Sequence, residues 1–508
     1  MDFLRDLPVL VLGLGDSGLA MARWCARCGA TVTVWDSRDT PPQAATLAAE
    51  LPAVPLRGGA LGPERLLGMQ LVLKSPGLSP HDARIAPLLT EARATGIAVL
   101  GELDLFARAL ADLKETQAYA PQVLAITGTN GKTTTTAMTA LLVARAGKRV
   151  ATAGNIGPTL LDTLTAQLRG GLEERAEVWV LELSSFQLDQ VRGFEPSAAA
   201  LLNLTQDHLD WHGNMAAYTA AKARVWGGNA VMVINQDDAA VEALVPRLPE
   251  NKVKPKDRVP ERTVIRFSLQ APRRPGDFGL VTENGMAWLV RALPVDDTFK
   301  RKKGDQEDEI HLQRLMPADA LRVRGRHNAA NALAALALAT AIGCTLAPML
   351  HGLREYTGEP HRVQFVATVG GVEAFDDSKG TNVGATVAAL AGLGADKLPA
   401  RLVVILGGDG KGQDFTPLSA PLSRYARAVA TLGRDAAAVE AVLGPVPFQR
   451  HHTLQAAVAW CFEQAQAGDA VLLSPACASL DMFRNYSHRA EVFVQAVRAL
   501  AVEKGEIA

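Results

Sequence analysis

Short apolar runs rich in β-branched residues alternate with helical stretches rich in Ala and Leu along almost the whole chain. This alternation is typical of doubly wound parallel sheets, in which a helix follows each strand and crosses back over the sheet. At 508 residues the chain is too long for one such domain, because domains usually contain roughly 100–200 residues. We therefore predict an α/β protein of about three domains.

Polar stretches divide the chain into three segments. The first covers residues 1–118 and ends in LKETQAYAPQ. The second covers 119–357 and ends near REYTGEPHR, after an Ala-rich helix predicted for 328–341. The third covers 358–508. Strands are predicted at 31–35, at 123–126, 178–181, 199–202 and 231–234, and at 372–375, 402–406 and 470–473.

Two stretches of the second segment, 246–277 and 292–320, are rich in Pro and charged residues. The sequence FKRKKGDQEDE, residues 299–309, places a basic run against an acidic run with no apolar period. Such composition favours a solvated region over a packed one. We interpret both stretches as charged insertions on the surface, with a partner-binding role as the alternative.

Composition excludes several classes of protein. The formal net charge is -1, so we expect no nucleic-acid partner. No stretch reaches the ~20 apolar residues of a membrane helix, and the N-terminus has no signal-peptide pattern. Five scattered cysteines indicate reduced thiols and a cytoplasmic protein, and Cys25 and Cys28 lie in a predicted helix, where packing is the better interpretation. We expect no membrane partner and a monomeric chain.

A glycine-rich loop follows the first predicted strand. It reads Gly13-x-Gly15-x-x-Gly18 and precedes a helix and a second strand that ends at Asp36. This order predicts a turn that brings a diphosphate to a helix N-terminus, and Asp36 lies 18 residues after Gly18, near the ~20 expected for nicotinamide enzymes. Asp16 adds negative charge inside the loop, which fits NAD poorly.

A second loop of another type, GTNGKT, occupies residues 128–133 between a predicted strand and a predicted helix. In that context backbone N–H groups face an anion, Lys132 can reach the β- and γ-phosphates of a nucleotide, and Thr133 can bind magnesium. The loop departs from G-x-x-x-x-G-K-[ST], because Ile126 stands five residues before Gly131. We interpret it as a compressed phosphate loop.

Two later strands of the second segment end in polar residues. Glu182 ends an apolar run, where a carboxylate is costly to bury without a cation, so we interpret it as a magnesium ligand. The next strand delivers Asn203, Asp207, His208 and Asp210. Oxygen donors with one imidazole favour magnesium or manganese over zinc.

Two helical motifs are less decisive. Lys222 lies in an Ala-rich helix, and its surroundings alone indicate a solvated lysine. Asn328 and Asn331 lie three residues apart on one helical face. Their carboxamides could bond locally or bind an adenine edge, and periodicity does not decide between these.

Predicted loops of the third segment collect cations and hydroxyls, which suit an acidic substrate that also meets ATP. They carry His361, Arg362, Asp377, Ser378, Lys379, Thr381, Asn382, Asp409, Lys411, Ser474, Ser479 and Tyr486.

The order and spacing of these motifs resemble the Mur ligase family, the ATP-dependent amino-acid-adding enzymes of peptidoglycan synthesis. The resemblance covers nearly the whole chain and rests on GLGDSG, SPG, TGTNGKTT, GNIG, ELSSFQL, NLTQDHLD, RHNAANALAA, PHR, DDSKGTN, GGDGKG and SPACASLD. It implies a Rossmann-like first domain for a UDP-linked substrate, a central domain with the parallel sheet of P-loop ATPases, and a Rossmann-like third domain for an amino acid.

The implied reaction is ATP-dependent addition of D-glutamate to UDP-N-acetylmuramoyl-L-alanine, with two magnesium ions and an acyl-phosphate intermediate. Lys132, His208 and Lys222 would be catalytic. Thr133, Glu182, His208 and Lys222 would hold metal, the last as a carbamate. The resemblance places ATP at Gly128, Thr129, Asn130, Gly131, Lys132, Thr133, Thr134, Asn328, Asn331, Arg362 and Asp377.

The same resemblance assigns the other two substrates. D-Glutamate would contact Thr381, Lys411, Ser479 and Tyr486, where Tyr486 stands at a position at which some relatives have Phe. The UDP-linked substrate would contact Asp16, Ser17, Asp36, Ser37, Arg38, Gly77, Asn155 and His208. Binding sites spread over three segments imply domain closure.

Three alternatives stay open at this point. A folylpolyglutamate-synthetase-like ligase would share the phosphate loop and the chemistry without needing a UDP-binding domain. An NAD-dependent oxidoreductase would explain the first glycine loop and leave the second loop unexplained. A non-catalytic ATP-binding protein would not explain the charged residues that the predicted loops bring together.

Overall fold

The structure is a computed structural model that describes residues 2–246, 262–295, 310–323 and 325–506. It contains three mostly parallel sheets with helices packed on them, which confirms the predicted α/β class. Apolar residues cover the faces of all three sheets, and one apolar core runs continuously from the first region into the central one. Within the described residues, no helix combines the length and the apolar character that crossing a membrane requires.

The first region is a five-stranded parallel sheet in the order β3-β2-β1-β4-β5. Its strands are β1 (Pro8–Leu12), β2 (Thr31–Trp35), β3 (Leu56–Arg57), β4 (Leu71–Lys74) and β5 (Ala98–Leu100). Its helices are α1 (Asp16–Arg27), α2 (Ala44–Glu50), α3 (Ala86–Ala94) and α4 (Glu102–Gln117). Cys25 is buried in α1, and this burial raises the pKa of its thiol to about 12, in agreement with a packing role.

The central region is a nine-stranded sheet in the order β14-β13-β12-β11-β10-β9-β6-β8-β7. Its strands are β6 (Gln122–Thr127), β7 (Val150–Gly154), β8 (Val178–Glu182), β9 (Ala198–Leu201), β10 (Val231–Asn235), β11 (Val264–Phe267), β12 (Phe278–Glu283), β13 (Met286–Pro294) and β14 (Ile310–Pro317). Its helices are α5 (Lys132–Arg145), α6 (Leu160–Gln167), α7 (Ser185–Leu188), α8 (Leu209–His212), α9 (Met215–Ala223), α10 (Ala239–Glu242), α11 (Arg326–Ala341) and α12 (Leu346–Glu355). The Ala-rich α11 is buried against α5, because small side chains let the two helices approach closely.

The third region is a six-stranded sheet in the order β15-β16-β20-β17-β18-β19. Its strands are β15 (Gln364–Val369), β16 (Val372–Asp376), β17 (Leu402–Gly407), β18 (Ala426–Leu432), β19 (Phe448–Arg450) and β20 (Ala470–Leu473). Its helices are α13 (Val383–Lys397), α14 (Ser419–Tyr425), α15 (Ala436–Glu440), α16 (Leu454–Gln464) and α17 (Tyr486–Glu503). Only β15, at one edge, runs antiparallel to its neighbour.

The described parts of 246–277 and 292–320 contain strands of the central sheet, so they are packed and not solvated as their composition favoured. That these stretches are insertions stays a prediction. Strand β11 continues the parallel sheet beside β10, and β14 pairs antiparallel with β13 at the edge. An edge strand needs apolar residues on one face only, so polar composition hid its alternation. In β14, for example, Met316 is fully buried among partly exposed polar residues. The stretch 299–309 lies outside the described residues.

Candidate active site

The second glycine loop joins β6 to α5, as predicted. Gly131 has a φ of +82°, and a Cβ atom there would lie 2.6 Å from the Oδ1 atom of Asn331. Glycine therefore permits both the left-handed turn and the close approach of α11. The Lys132 ammonium donates hydrogen bonds to the carbonyl oxygens of Gly128 and Thr129, at 2.9 and 2.8 Å. Burial lowers the pKa of Lys132, and the nearby charge of Glu182 opposes this shift.

Residues that follow β9 fix the shape of this loop. The Asn203 carboxamide accepts a hydrogen bond from the backbone N–H of Asn130 at 2.8 Å and donates one to its carbonyl at 3.0 Å. The Thr129 hydroxyl lies 3.0 Å from the Tyr218 hydroxyl, on α9. These contacts hold the loop in place through protein groups alone, and such preorganisation favours anion binding.

Glu182 ends β8 beside the phosphate loop, and its side chain is only 1% exposed. One carboxylate oxygen accepts a hydrogen bond from the Asn155 Nδ2 atom at 2.9 Å, while the other is buried with no partner among the described residues. A buried carboxylate oxygen without a partner is costly unless a cation neutralises it. The donor set of Glu182 and the Thr133 hydroxyl therefore fits magnesium.

The interpretation of Lys222 as a solvated lysine is wrong. Its side chain is 2% exposed, and its Nζ atom donates hydrogen bonds to the Gly128 carbonyl at 2.8 Å and the Thr127 hydroxyl at 3.3 Å. Burial, and then the nearby Lys132 charge, lower the pKa of Lys222 well below its usual value. Lysine at this place is therefore a buried amine under the phosphate loop.

His208 lies at the start of α8 with a φ of +52°. Its ring stands 4.6 Å from that of Phe186, and burial lowers its pKa, which favours the neutral imidazole that a metal or substrate can use. Asp207 lies 3.5 Å away and opposes this shift. Asp210 belongs to the same short helix and is exposed. Among the residues that the structure describes, His, Cys, Asp and Glu nowhere gather in threes in a way that could hold a metal ion.

Side chains of the third region reach the phosphate loop. Arg362 donates a hydrogen bond to the Thr133 hydroxyl at 2.8 Å, and Lys379 lies 3.4 Å from the same oxygen. The Asn382 carboxamide donates to the Asn130 Oδ1 atom at 3.0 Å. The cations predicted on separate loops thus meet at one oxygen of the phosphate loop.

The four residues matched to D-glutamate lie on neighbouring loops, because β16, β20 and β17 are adjacent in the sheet. A two-way backbone bridge between Asp409 and Ala478 brings the loop of Lys411 to the loop of Ser479. The carbonyl of Gly380, next to Thr381, accepts a hydrogen bond from the Ala476 N–H at 3.0 Å. Tyr486 begins α17, and the Lys379 ammonium lies 5.6 Å above its ring.

Asn328 and Asn331 lie in a crevice between the central and third regions. The Asn331 amide donates a hydrogen bond to the Asn328 side chain at 3.1 Å. The crevice is also lined by Thr134, Arg362 and Asp377. Burial raises the pKa of Asp377 to about 7, although Ser474 donates a hydrogen bond to its carboxylate at 2.6 Å. The residues matched to adenine and the nucleotide therefore share one cleft.

The first glycine loop has the predicted strand-turn-helix geometry. A Cβ at Gly18 would lie 1.9 Å from the Gly13 carbonyl oxygen, so only glycine lets α1 pack this close. Asp36 is occupied within the protein: it accepts hydrogen bonds from the Leu14 N–H at 2.7 Å and from the Arg38 guanidinium at 2.7 and 2.9 Å. Burial opposes ionisation, but these donors lower the pKa of Asp36 to about 2.

The remaining residues matched to the UDP-linked substrate surround this loop. Asp16 accepts a hydrogen bond from the Gln43 amide at 2.8 Å, and the Ser37 hydroxyl accepts one from Arg84 at 3.3 Å. Burial raises the pKa of the Glu102 carboxyl to about 7, and the nearby Ser17 hydroxyl opposes this shift. Gly77 is exposed on the turn that follows β4.

Sequence reasoning missed two residues of this neighbourhood. Tyr218 lies one helical turn before Lys222, so the spacing of four was an available signal. Glu102 begins α4, and its carboxylate accepts a hydrogen bond from the Leu161 N–H at 3.0 Å at the start of α6. Nothing in the sequence distinguished it from an ordinary acidic helix start.

Comparison with known families decides the classification. The chain matches a Mur ligase MurD-like N-terminal domain over residues 8–101, the Mur ligase middle domain over 126–263 and the glutamate ligase domain of Mur ligases over 361–477. The chain belongs to the Mur ligase family. One match falls in each predicted segment, while the boundaries after 118 and 357 stay predictions.

Relatives similar over their whole length share one name. A protein of Albidiferax ferrireducens named UDP-N-acetylmuramoylalanine--D-glutamate ligase is 60% identical over 509 residues, covering 99% of this chain and 98% of the relative. A protein of Burkholderia mallei with the same name is 56% identical over 513 residues, covering 99% of both chains.

Solved structures share the fold at low identity. A MurF ligase from Thermotoga maritima in complex with ADP has a TM-score of 0.57 at 16% identity, covering 97% of this chain and 96% of that one. MurF from Acinetobacter baumannii has a TM-score of 0.56 at 18% identity, covering 91% and 90%. These likenesses support the three-domain Mur ligase fold.

Proposed function

We propose that this chain is an ATP-dependent ligase that adds D-glutamate to UDP-N-acetylmuramoyl-L-alanine in peptidoglycan precursor synthesis. The observation that carries the proposal is the meeting of Arg362 and Lys379 at the Thr133 hydroxyl. It brings the loops matched to an amino acid next to a phosphate loop, as a ligation between an activated acid and an amine requires. The name of the relatives at 56–60% identity supports the same substrates.

The first step is attack of the L-alanine carboxylate on the γ-phosphate of ATP, which gives an acyl phosphate and ADP. Both reactants are anionic, so the site must offset their repulsion. Lys132, Arg362 and Lys379 supply positive charge around Thr133, and the N-terminus of α5 adds its dipole. Asn328 and Asn331 would hold the adenine, while Asp377 would contact the nucleotide.

Magnesium would bind at Thr133 and Glu182, where a buried carboxylate oxygen lacks a partner. His208 and a carbamylated Lys222 would hold a second ion. When bound, magnesium supplies charge neutralisation at the phosphates. Carbamylation would convert a buried amine that burial disfavours as a cation into an anion beside Lys132.

In the second step the amine of D-glutamate attacks the acyl carbon and phosphate leaves. Thr381, Lys411, Ser479 and Tyr486 would hold D-glutamate, and the positive charge of Lys411 suits its carboxylates. The first region would hold the UDP-linked substrate around Asp16, Ser17, Ser37, Arg38 and Gly77, with Asn155 and His208 from the central region. Asp36 would act through Arg38, since its own oxygens are already bonded.

The deciding experiment measures phosphate release with ATP and UDP-N-acetylmuramoyl-L-alanine against a panel of D- and L-amino acids. We expect release that depends on both the UDP-linked substrate and D-glutamate. Release supported by a folate and L-glutamate instead would favour the folylpolyglutamate-synthetase-like alternative. An NADH fluorescence titration tests the oxidoreductase, and we expect no saturable binding. A monomeric state and a cytoplasmic location are further predictions, the first open to light scattering.

A further inference from the structure

His361 forms a buried-acid pair that the steps above do not use. Its Nδ1 atom lies 2.6 Å from the Oδ2 atom of Asp376, and that carboxylate is 1% exposed. The other Asp376 oxygen accepts a hydrogen bond from the Ser378 N–H at 2.9 Å, which fixes the carboxylate in position. The His361 side chain is 27% exposed, so part of it is accessible to a ligand. A carboxylate that holds Nδ1–H leaves the Nε2 atom to accept a proton.

The His361 ring lies between the amino-acid loops and the phosphate loop. Its centre is 6.1 Å from that of Tyr486, in an edge-to-face arrangement. The Lys379 N–H donates a hydrogen bond to the His361 carbonyl at 3.2 Å, and the Lys379 ammonium reaches both Tyr486 and the Thr133 hydroxyl. The next residue, Arg362, bonds to Thr133 directly. His361 is therefore next in sequence to a residue that bonds to the phosphate loop, and its ring packs against Tyr486, which is matched to D-glutamate.

The backbone of His361 is held in an unfavourable conformation. Its φ is +63°, in the left-handed region that non-glycine residues rarely adopt. Such conformations cluster at active sites and ligand-binding sites, where the surrounding structure enforces them. The hydrogen bonds to Asp376 and Lys379 hold His361 in this conformation. They fix the orientation of its imidazole ring.

We propose that His361 is the general base that deprotonates the ammonium group of the incoming amino acid, with Asp376 as its positioning residue. This inference rests on the proposed function, because it assigns the proton of the second step. At neutral pH the amine of an amino acid is protonated and has no lone pair for attack, so a proton must leave first.

One ammonium proton moves to the Nε2 atom of His361, and the Asp376 carboxylate stabilises the imidazolium that forms. The freed nitrogen lone pair forms a C–N bond to the acyl carbon. The C–O bond to phosphate then breaks, the second nitrogen proton leaves with the phosphate, and His361 returns its proton to water.

Hydroxylamine, used as the nucleophile in place of D-glutamate, distinguishes a general base from a residue that only shapes the site. It is largely unprotonated at neutral pH, so it can attack the acyl phosphate without a base and give a hydroxamate. We expect His361→Gln to lose roughly 10²–10⁴-fold in D-glutamate addition while ATP-dependent hydroxamate formation from UDP-N-acetylmuramoyl-L-alanine stays within about threefold of wild type. Asp376→Asn should lower the ratio of D-glutamate addition to hydroxamate formation in the same direction.

His351→Gln is the matched control, because His351 lies 66% exposed on α12 and should change neither rate. Equal losses of both products in His361→Gln would overturn the inference, since they would mean that His361 shapes the site. Wild-type rates of both products would overturn it as well. A wild-type protein that forms hydroxamate but adds no D-glutamate would instead refute the proposed function.

Discussion

At the scale of single residues, the phosphate loop is surrounded by cations taken out of water. Burial lowers the pKa of Lys132 and Lys379, and the charges of their neighbours reinforce or oppose that effect. A desolvated cation interacts strongly with an anion that arrives next to it, because the local dielectric constant is low. A nucleoside triphosphate bound at this loop would therefore interact strongly with these buried ammonium groups.

Replacement of Lys132 tests how much its positive charge contributes to catalysis. We expect Lys132→Ala to lower kcat for ATP-dependent ligation by ~10²-fold or more, by analogy with the loss of other transition-state donors. The measurement is phosphate release at saturating substrates. Lys148→Ala is the control, since this lysine lies on the surface beyond the other end of α5. Near-normal ligation by Lys132→Ala would contradict the role of the loop.

Lys222 should react with carbon dioxide, because burial lowers its pKa and so favours the neutral, nucleophilic form of the amine. We expect a carbamate carbon resonance in the ¹³C NMR spectrum after incubation with ¹³C-bicarbonate. The resonance should be absent from Lys222→Gln. If wild type shows no such resonance while it is fully active, Lys222 acts as a plain amine.

At the scale of elements, the first strand-turn-helix unit depends on one close approach. Gly18→Ala would place a Cβ atom 1.9 Å from the Gly13 carbonyl, so α1 must move away from β1. We expect a lower Tm and weaker binding of the UDP-linked substrate. Gly15→Ala is the matched control for stability, because a Cβ there meets nothing within 4 Å and its φ is -95°. Equal Tm values for the two variants would contradict this packing argument.

The sequence allowed most elements to be predicted, and the exceptions have a physical cause. Strands buried on both faces are uninterrupted apolar runs, and β20 was predicted at the residues where it lies. The edge strand β14 needs only alternate apolar residues, so charged neighbours concealed it, and β11 is a four-residue strand inside a stretch rich in Pro and charged residues. Composition predicts strands poorly where one face of the strand is exposed to solvent.

The candidate site was predictable where a motif fixes its own geometry, as in the loop of Lys132. It was not predictable for Lys222, whose burial depends on the Gly128 carbonyl 94 residues away in sequence. The pairing of His361 with Asp376 has the same character, since it joins the start of β15 to the end of β16. Long-range contacts of this kind come only with the fold.

At the scale of the whole molecule, the two junctions between regions differ in chemistry. The first and central regions meet through buried groups away from the phosphate loop, such as Glu102 with the Leu161 N–H and Asp104 with the Arg192 N–H at 2.7 Å. The third region meets the central one through Arg362 and other polar side chains at the phosphate loop itself. A ligand in that loop acts on the second junction and hardly on the first.

We therefore expect domain closure to move the third region relative to a stable pair formed by the other two. Small-angle scattering should show a smaller radius of gyration when an ATP analogue and the UDP-linked substrate are added together, and the compact curve should match this structure. Lys132→Ala should compact less at the same ligand concentrations, because its loop holds the phosphates weakly. An unchanged radius of gyration in wild type would mean that the polar contacts of Arg362 and Asn382 persist without ligand, and that closure plays no part in bringing the three substrates together.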